Sequence, residues 1–318
     1  MAKKHRSSGP LPQWLDRGVL VYGPRKAGTT LFQNLLDGSG QLLAYPAELK
    51  LKYFARHPGK AGDIAAYHSK SRIASVKSSR FNVAEYEKLW AEALDLRQLS
   101  SFGALVRFDA WAVQQSISKS SAEPELWCAK EVGGPADSIL ADWRRMFPKG
   151  KALFIVREPL MITRAVINDR RRKKIRLSFR QIVRETIDPM RVVAAQSKYL
   201  NDPYVHILTY ENLVEDTAGT MRKAAAFLGI PYSPVFTTPT IFGEPQIVRT
   251  SSRKTTEVFA PAQSWTDGLT ARERWIVAWT SRVARHLPAY SVTYHDLRAR
   301  IERAGTERDR LTSGTIAR

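Results

Sequence analysis

Cysteine is almost absent from this chain: Cys128 is the only one in 318 residues. A lone thiol excludes an intrachain disulfide and removes any case for a cysteine-rich metal site. Long apolar runs are missing as well. No segment approaches the ~20 apolar residues needed to cross a bilayer, and no signal-length apolar run follows the basic N-terminal stretch MAKKHRSSGPLPQWLDRG. A soluble, cytoplasmic protein is the expectation. Acidic residues are also scarce, with 30 Asp and Glu against 50 Lys and Arg and a net charge of +20. That excess attracts nucleotides, acidic glycans, nucleic acids or membrane surfaces alike, and does not choose among them. Hydrophobic residues, at 43%, suffice for the core of one large α/β domain with insertions.

The most informative stretch is VLVYGPRKAGTTLFQNLL, residues 19–36, which reads as a strand, a phosphate-cradling loop and a helix. Gly23 and Gly28 have the spacing of the glycines in GxxxxGK[ST], and Thr30 takes its final hydroxyl position. The lysine position holds Thr29. A nucleoside triphosphatase needs that lysine and a strand-end Asp for Mg²⁺, so ATP and GTP are disfavoured as ligands. The nearest cation, Lys26, lies inside the loop. There it suits a nucleotide whose single 5′-phosphate carries a transferable group. Backbone amides from Ala27 to Thr30, at the positive end of a helix, would hold the phosphate while Lys26 neutralises charge on the leaving oxygen.

The rest of the chain repeats the strand-helix rhythm. LWCAK leads into a Gly133-Gly134-Pro135 turn and a helix with Ile139, Leu140, Trp143 and Met146. KALFIVREP is a near-continuous apolar run, typical of a parallel strand covered on both faces, and it runs into Arg157. VHILTYENL precedes a helix from about Thr217, read as its cap, to Leu228, stopped by Gly229. This order predicts a single α/β domain over 18–299, with a central parallel sheet, its first two strands paired, flanked by helices. Ligands bind such sheets at the strands' carboxyl ends, so Lys26, Lys130 and Arg157 are expected to face one crevice. Residues 1–17 read as a basic lead segment. Residues 56–119 read as an insertion: a mobile, Ser-rich surface part to about 84, then helices, together forming an acceptor-side lid. Residues 300–318 read as a charged, flexible tail.

Arg25-Lys26-Ala27-Gly28-Thr29-Thr30 resembles the PKSGTT signature of the sulfotransferases, which use 3′-phosphoadenosine 5′-phosphosulfate, PAPS. The family proline is Arg25 here, and its serine is Ala27. The resemblance extends in islands over about residues 18–275 and implies a P-loop-like sulfotransferase fold of the bacterial type. VREPLMITRAV resembles the 3′-phosphate element, which makes Arg157 the phosphate ligand. The serine eight residues on is Ala165, leaving Thr163, Arg164 or Asn168 to supply its contact. LTYENL resembles a largely structural family stretch, with Tyr210 anchoring its strand. FGEPQIVRTSSRKTTEVF resembles a loop folding over the nucleotide, so Arg253 and Lys254, with Arg249, Ser251 and Ser252, become donor-side residues.

The resemblance also implies the chemistry. Glu48 is the base candidate, because related enzymes place a glutamate at this distance from the phosphate loop; His57 and His68 are the histidine alternatives. Lys130 matches a lysine beside the transferring group. The reaction is an in-line displacement onto a hydroxyl or amine, with adenosine 3′,5′-bisphosphate leaving and no metal required. The acceptor is expected to be a glycan or another small hydroxylated metabolite, with lipid-linked acceptors open; the cations at Lys50, Lys52, Arg56, Lys77, Arg80 and 170–174 would suit a cleft for an acidic carbohydrate, and surface solvation is their rival reading. Each assignment has a structural rival: Glu48 paired with Lys50 or Lys52, Lys130 with Glu131, and Arg157 in a strand-end salt bridge. A P-loop kinase is the rival enzyme, and a basic nucleic-acid-binding protein is the rival from another class, although no zinc-finger or RNA-platform signature occurs.

Overall fold

In the computed structural model the described residues are 11–56, 67–68, 73, 76–96, 101–118, 123–246, 248–249, 254–255, 258, 264–290 and 292–315. Five strands, β1 (Gly18–Gly23), β2 (Leu42–Glu48), β3 (Leu126–Val132), β4 (Lys151–Val156) and β5 (Val205–Thr209), form one parallel sheet in the order β2-β3-β1-β4-β5. The central strand β1 pairs with β3 on one side and β4 on the other. Pairing of the first two strands in chain order does not occur, because β3, which opens the second strand-helix unit, takes that place and displaces β2 to the edge. Successive crossovers therefore run to opposite sides of β1, which makes its carboxyl end the switch point where such sheets bind ligands.

Strand alternation sorts the core. Leu20, Tyr22, Trp127, Ala129 and Phe154 share one face with Trp90, Val106 and Trp143. Val19, Val21, Cys128, Leu153 and Ile155 share the other with Phe32, Leu35 and Ala224. The helices that cover them are α1 (Thr29–Leu36), α2 (Leu51–Arg56), α3 (Val83–Leu96), α4 (Phe102–Gln115), α5 (Ala136–Met146), α6 (Pro159–Arg172), α7 (Phe179–Ser197), α8 (Tyr210–Glu215), α9 (Thr217–Leu228), α10 (Ala271–Arg285) and α11 (Tyr294–Thr315). Two short hairpins, β6 (Thr240–Ile241) with β7 (Glu244–Pro245) and β8 (Val248–Arg249) with β9 (Lys254–Thr255), follow α9. Among the described residues no helix is long and apolar enough to cross a membrane.

Three local expectations are corrected. The cap of α9 is Asp216, whose side chain accepts from the Gly219 amide at 2.9 Å; the Thr217 hydroxyl instead donates to the Leu213 carbonyl. Gly229 stops the helix with φ 76°, as its freedom from a Cβ allows. Residues 300–315 are not a loose tail but the continuation of α11. In the stretch expected to be a mobile surface part, the described Tyr67, Ile73 and Phe81 are buried.

One buried carboxylate explains how the insertion is held. Asp109 of α4 is fully buried and accepts hydrogen bonds from Tyr45 of β2, Tyr67 (2.8 Å), Tyr86 (2.6 Å) and the Trp90 indole (3.3 Å). Burial pushes the Asp109 carboxyl up from its ordinary range, and the four donors pull against that shift. Asp109→Ala removes the shared acceptor of four buried donors and is expected to cost roughly 3–5 kcal/mol, measured as a fall in urea midpoint at unchanged m-value. Asp109→Asn keeps one oxygen and an amide that the tyrosine hydroxyls can accept from, so it should cost less. A loss below about 1 kcal/mol for the alanine variant would remove the network as the anchor of this insertion.

Candidate active site

Gly23 ends β1, and the turn 24–28 reverses the chain into α1. Its backbone is unusual at two positions: Lys26 has φ 71° and Gly28 has φ 102°. A side chain at Gly28 would be strained by that φ, and its Cβ would stand 2.4 Å from the Tyr210 ring. The Ala27 amide donates to the Pro24 carbonyl at 3.1 Å, so it is spent on the turn and is corrected as a phosphate donor. The amides of Gly28, Thr29 and Thr30, at the start of α1, have no helical acceptor and point their dipoles out of the helix end.

Three contacts clamp this loop. Arg25 forms a fork to Glu185 of α7 at 3.2 and 3.3 Å. The Lys26 amine pairs with Asp169 of α6 at 3.1 Å. Arg157, just beyond β4, donates through Nη1 to the Lys26 carbonyl at 2.8 Å, and its guanidinium lies 4.2 Å over the centre of the Tyr210 ring. Asp169 also receives Arg172 and Lys173 at 3.0 and 2.9 Å. Partial burial opposes ionisation of Asp169, but the bonds from Lys173 and Lys26 prevail and hold its carboxyl at about 2.

Arg157 is buried, and among the described residues it makes no ion pair, so the strand-end salt bridge is not formed. Among the described residues its buried Nε has no hydrogen-bond partner. Burial lowers its pKa, while Tyr210 and Glu211 support the charge. A buried guanidinium beside helix-start amides presents charge and donors suited to an anion.

Of the residues expected to replace the family serine at Ala165, Thr163 is ruled out: its hydroxyl is buried, donating toward the Pro159 and Glu185 carbonyls. Arg164 and Asn168 both reach the Asp267 carbonyl, at 2.8 and 3.4 Å. Only Arg164 also acts on the charge of Arg157.

A second cluster sits at the ends of β2 and β3. Glu48 and Lys130 are register partners there. Glu48 pairs with Lys50 at 2.9 Å and Lys52 at 3.6 Å, so its structural rival reading is realised in the geometry. Alternation sends Lys130 to the face of Cys128 and Glu131 to the opposite one, so these neighbours do not pair. Burial draws the Lys130 amine down to about 8, with Glu48 supporting its charge and Lys50 opposing it. Glu131 is buried, accepts the Leu51 amide at 2.8 Å and has its carboxyl pushed up to about 7 by burial. Among the described residues its other oxygen has no hydrogen-bond partner, and the Lys52 amine stands 4.0 Å from it.

Lys26 and Arg157 are thus brought together, and Lys130 pairs in register with Glu48 on the neighbouring strands. The basic residues assigned to an acceptor cleft disperse. Arg80 donates to the Phe242 carbonyl at 3.2 Å, Arg171 reaches Gly268 and Glu273, and Arg172 and Lys173 serve Asp169. His68 pairs with Glu87 at 3.2 Å and stacks on Tyr86. Arg253 and His57 lie outside the described residues, and Lys254 is described only by its place in β9. Asp169 and Glu185 had escaped the sequence reading, and Glu131 had entered it only as the rival partner of Lys130.

A parallel sheet whose central strand turns through a glycine-hinged, cation-bearing loop into a helix defines the P-loop-like α/β class, and a threonine at the usual lysine position sets this chain apart from its triphosphatases. Within that class the chain belongs to the sulfotransferase family, whose model matches residues 18–234. The fold is shared with the sulfotransferase domain of the Synechococcus PCC 7002 olefin synthase, at a TM-score of 0.53 and 17% identity over 86% of this chain and 95% of that one. It is shared also with the sulfotransferase domain from the curacin biosynthetic pathway, at 0.50 and 16% over 83% and 98%. Among curated proteins none matches the sequence.

Proposed function

We propose that this protein transfers a sulfuryl group from PAPS to a hydroxyl or amine of an acceptor, with a carbohydrate favoured. The observation that carries the reading is the unsatisfied Arg157 beside the Gly28–Thr30 amides, directly under the loop that holds Lys26. These groups fit a nucleotide with phosphates at both ends of its ribose: the amides take the 5′-phosphate, and Arg157 takes the 3′-phosphate, with Arg164 in place of the missing serine contact. PAPS supplies an activated sulfuryl group when bound. Glu48 removes the acceptor proton as the new oxygen–sulfur bond forms. Lys26 neutralises the phosphate oxygen that receives the electron pair of the breaking sulfur–oxygen bond, and Lys130 steadies the charge on the sulfuryl oxygens.

In this reading residues 18–299 act as one sulfotransferase domain. The segment 56–119 flanks the acceptor side, because the Asp109 network ties it to Tyr45, three positions before Glu48 on β2. Lys50 and Lys52 give that side its cationic rim. A cytoplasmic location accords with the lone, buried Cys128.

Calorimetric titration tests the nucleotide assignment. Adenosine 3′,5′-bisphosphate is expected to bind about 10–100-fold tighter than AMP, the worth of one charge-assisted pairing, and Arg157→Met should erase that preference. Equal affinity for the two nucleotides would remove Arg157 from the site.

A further inference from the structure

We infer that α10 is a docking face for an anionic lipid surface. The inner side of this helix is ordinary core: Ile276, Val277, Thr280, Ser281 and Ala284 are buried, and the helix packs on α7. Its outer side is the exception. Trp275, Trp279 and Val283 follow one another at intervals of four and are 61%, 48% and 43% exposed, and Leu287, just past the helix end, is 48% exposed. Residues at that spacing are neighbours on a helix. The two indoles lie nearly parallel, at 13° with centroids 6.4 Å apart, so they form one continuous aromatic surface. Large apolar side chains aligned in water mark an interaction site.

Charge identifies the occupant. Arg272, Arg274, Arg282 and Arg285 are exposed around the stripe. The single acid of α10, Glu273, is turned back into the cap with Thr270 and into an ion pair with Arg171. Ile175, in the turn after α6, and Phe179, at the start of α7, the helix on which α10 packs, are exposed as well. Tryptophans seated among arginines on a helix whose one acid is already paired match the headgroup layer of an anionic bilayer, where indoles settle at the interface and guanidinium groups meet lipid phosphates.

The same pattern disfavours the other occupants. A second copy docked about a two-fold axis would set these arginines against their own equivalents on chains of net charge +20. A nucleic-acid duplex would engage the arginines but leave Val283 and Leu287 in water. The inference is independent of which nucleotide or acceptor the protein uses.

Co-sedimentation of the full chain with phosphatidylcholine vesicles, with or without about one third phosphatidylserine, tests it. Binding to the mixed vesicles is expected, with weak binding to neutral ones. Brominated acyl chains should quench the tryptophan fluorescence of the bound protein. Trp275→Ser with Trp279→Ser should lower partitioning about tenfold and abolish the added quenching, while the exposed positions leave the unfolding midpoint in place. Failure to partition, partitioning without quenching, or equal partitioning of the double variant would overturn the inference. So would displacement of the protein from vesicles by a DNA duplex in a manner insensitive to the tryptophans, or a dimer that dissociates in the double variant.

Discussion

Lys26→Ala is expected to lower turnover by about 10²–10³-fold, the effect of removing one group placed on a developing charge. The variant leaves the fold intact for three reasons. A φ of 71° is as strained for lysine as for alanine, so the turn is no worse with either. Asp169 keeps Arg172 and Lys173 when Lys26 leaves, and partly exposed pairs of this kind contribute little to stability. Arg157 is bonded to the carbonyl of residue 26, which survives the substitution. Affinity for adenosine 3′,5′-bisphosphate should therefore change far less than turnover. The rival account makes Lys26 only a clamp between the loop and α6, through its 3.1 Å contact with Asp169. Asp169→Asn separates the two, because it loosens the clamp and leaves the amine. Equal losses in the two variants, or turnover near that of the native protein in Lys26→Ala, would take Lys26 out of the chemistry.

The parts of this protein that obey local rules were legible in its sequence. The glycine spacing of 23 and 28, the apolar run before Arg157 and the Gly229 stop each have a one-residue physical cause, and each stands where it was expected. Arrangement across the sheet was less legible. Nothing local to β2 states that β3 will insert beside β1, since that choice depends on which faces the helices of the insertion cover. The site divided along the same line. Arg157 and Lys26 were found through their motifs, but Asp169 and Glu185 come from α6 and α7, more than a hundred residues from the loop they hold, at spacings no periodicity records. The basic run at 170–174 misled for a related reason: composition counts charges, and only the fold shows that Arg171, Arg172 and Lys173 are already committed to Glu273 and Asp169.

Glu48→Gln should produce a loss comparable to that of Lys26→Ala or larger, about 10²–10⁴-fold in kcat/KM, if its carboxylate takes the acceptor proton. The substitution keeps the side chain's shape. The ion pairs it dissolves, to Lys50 and Lys52, are partly exposed, so stability should fall by no more than about 1 kcal/mol. Those pairs are also the competing explanation, in which Glu48 merely gathers lysines. Then Glu48→Gln would leave turnover within a few fold, and Lys50→Met with Lys52→Met would imitate it. A second signature comes from Lys130. Burial has drawn its amine down to about 8, so its positive charge drains away as pH rises through that value, and kcat/KM should fall on the alkaline side. The negative charge of Glu48 supports the charged amine. Removing it must lower the Lys130 pKa further, and the residual activity of Glu48→Gln should decline at a lower pH than that of the native enzyme. An alkaline limb that stays in place in the variant would mean that Lys130 and Glu48, although register partners at the sheet edge, do not share one electrostatic site.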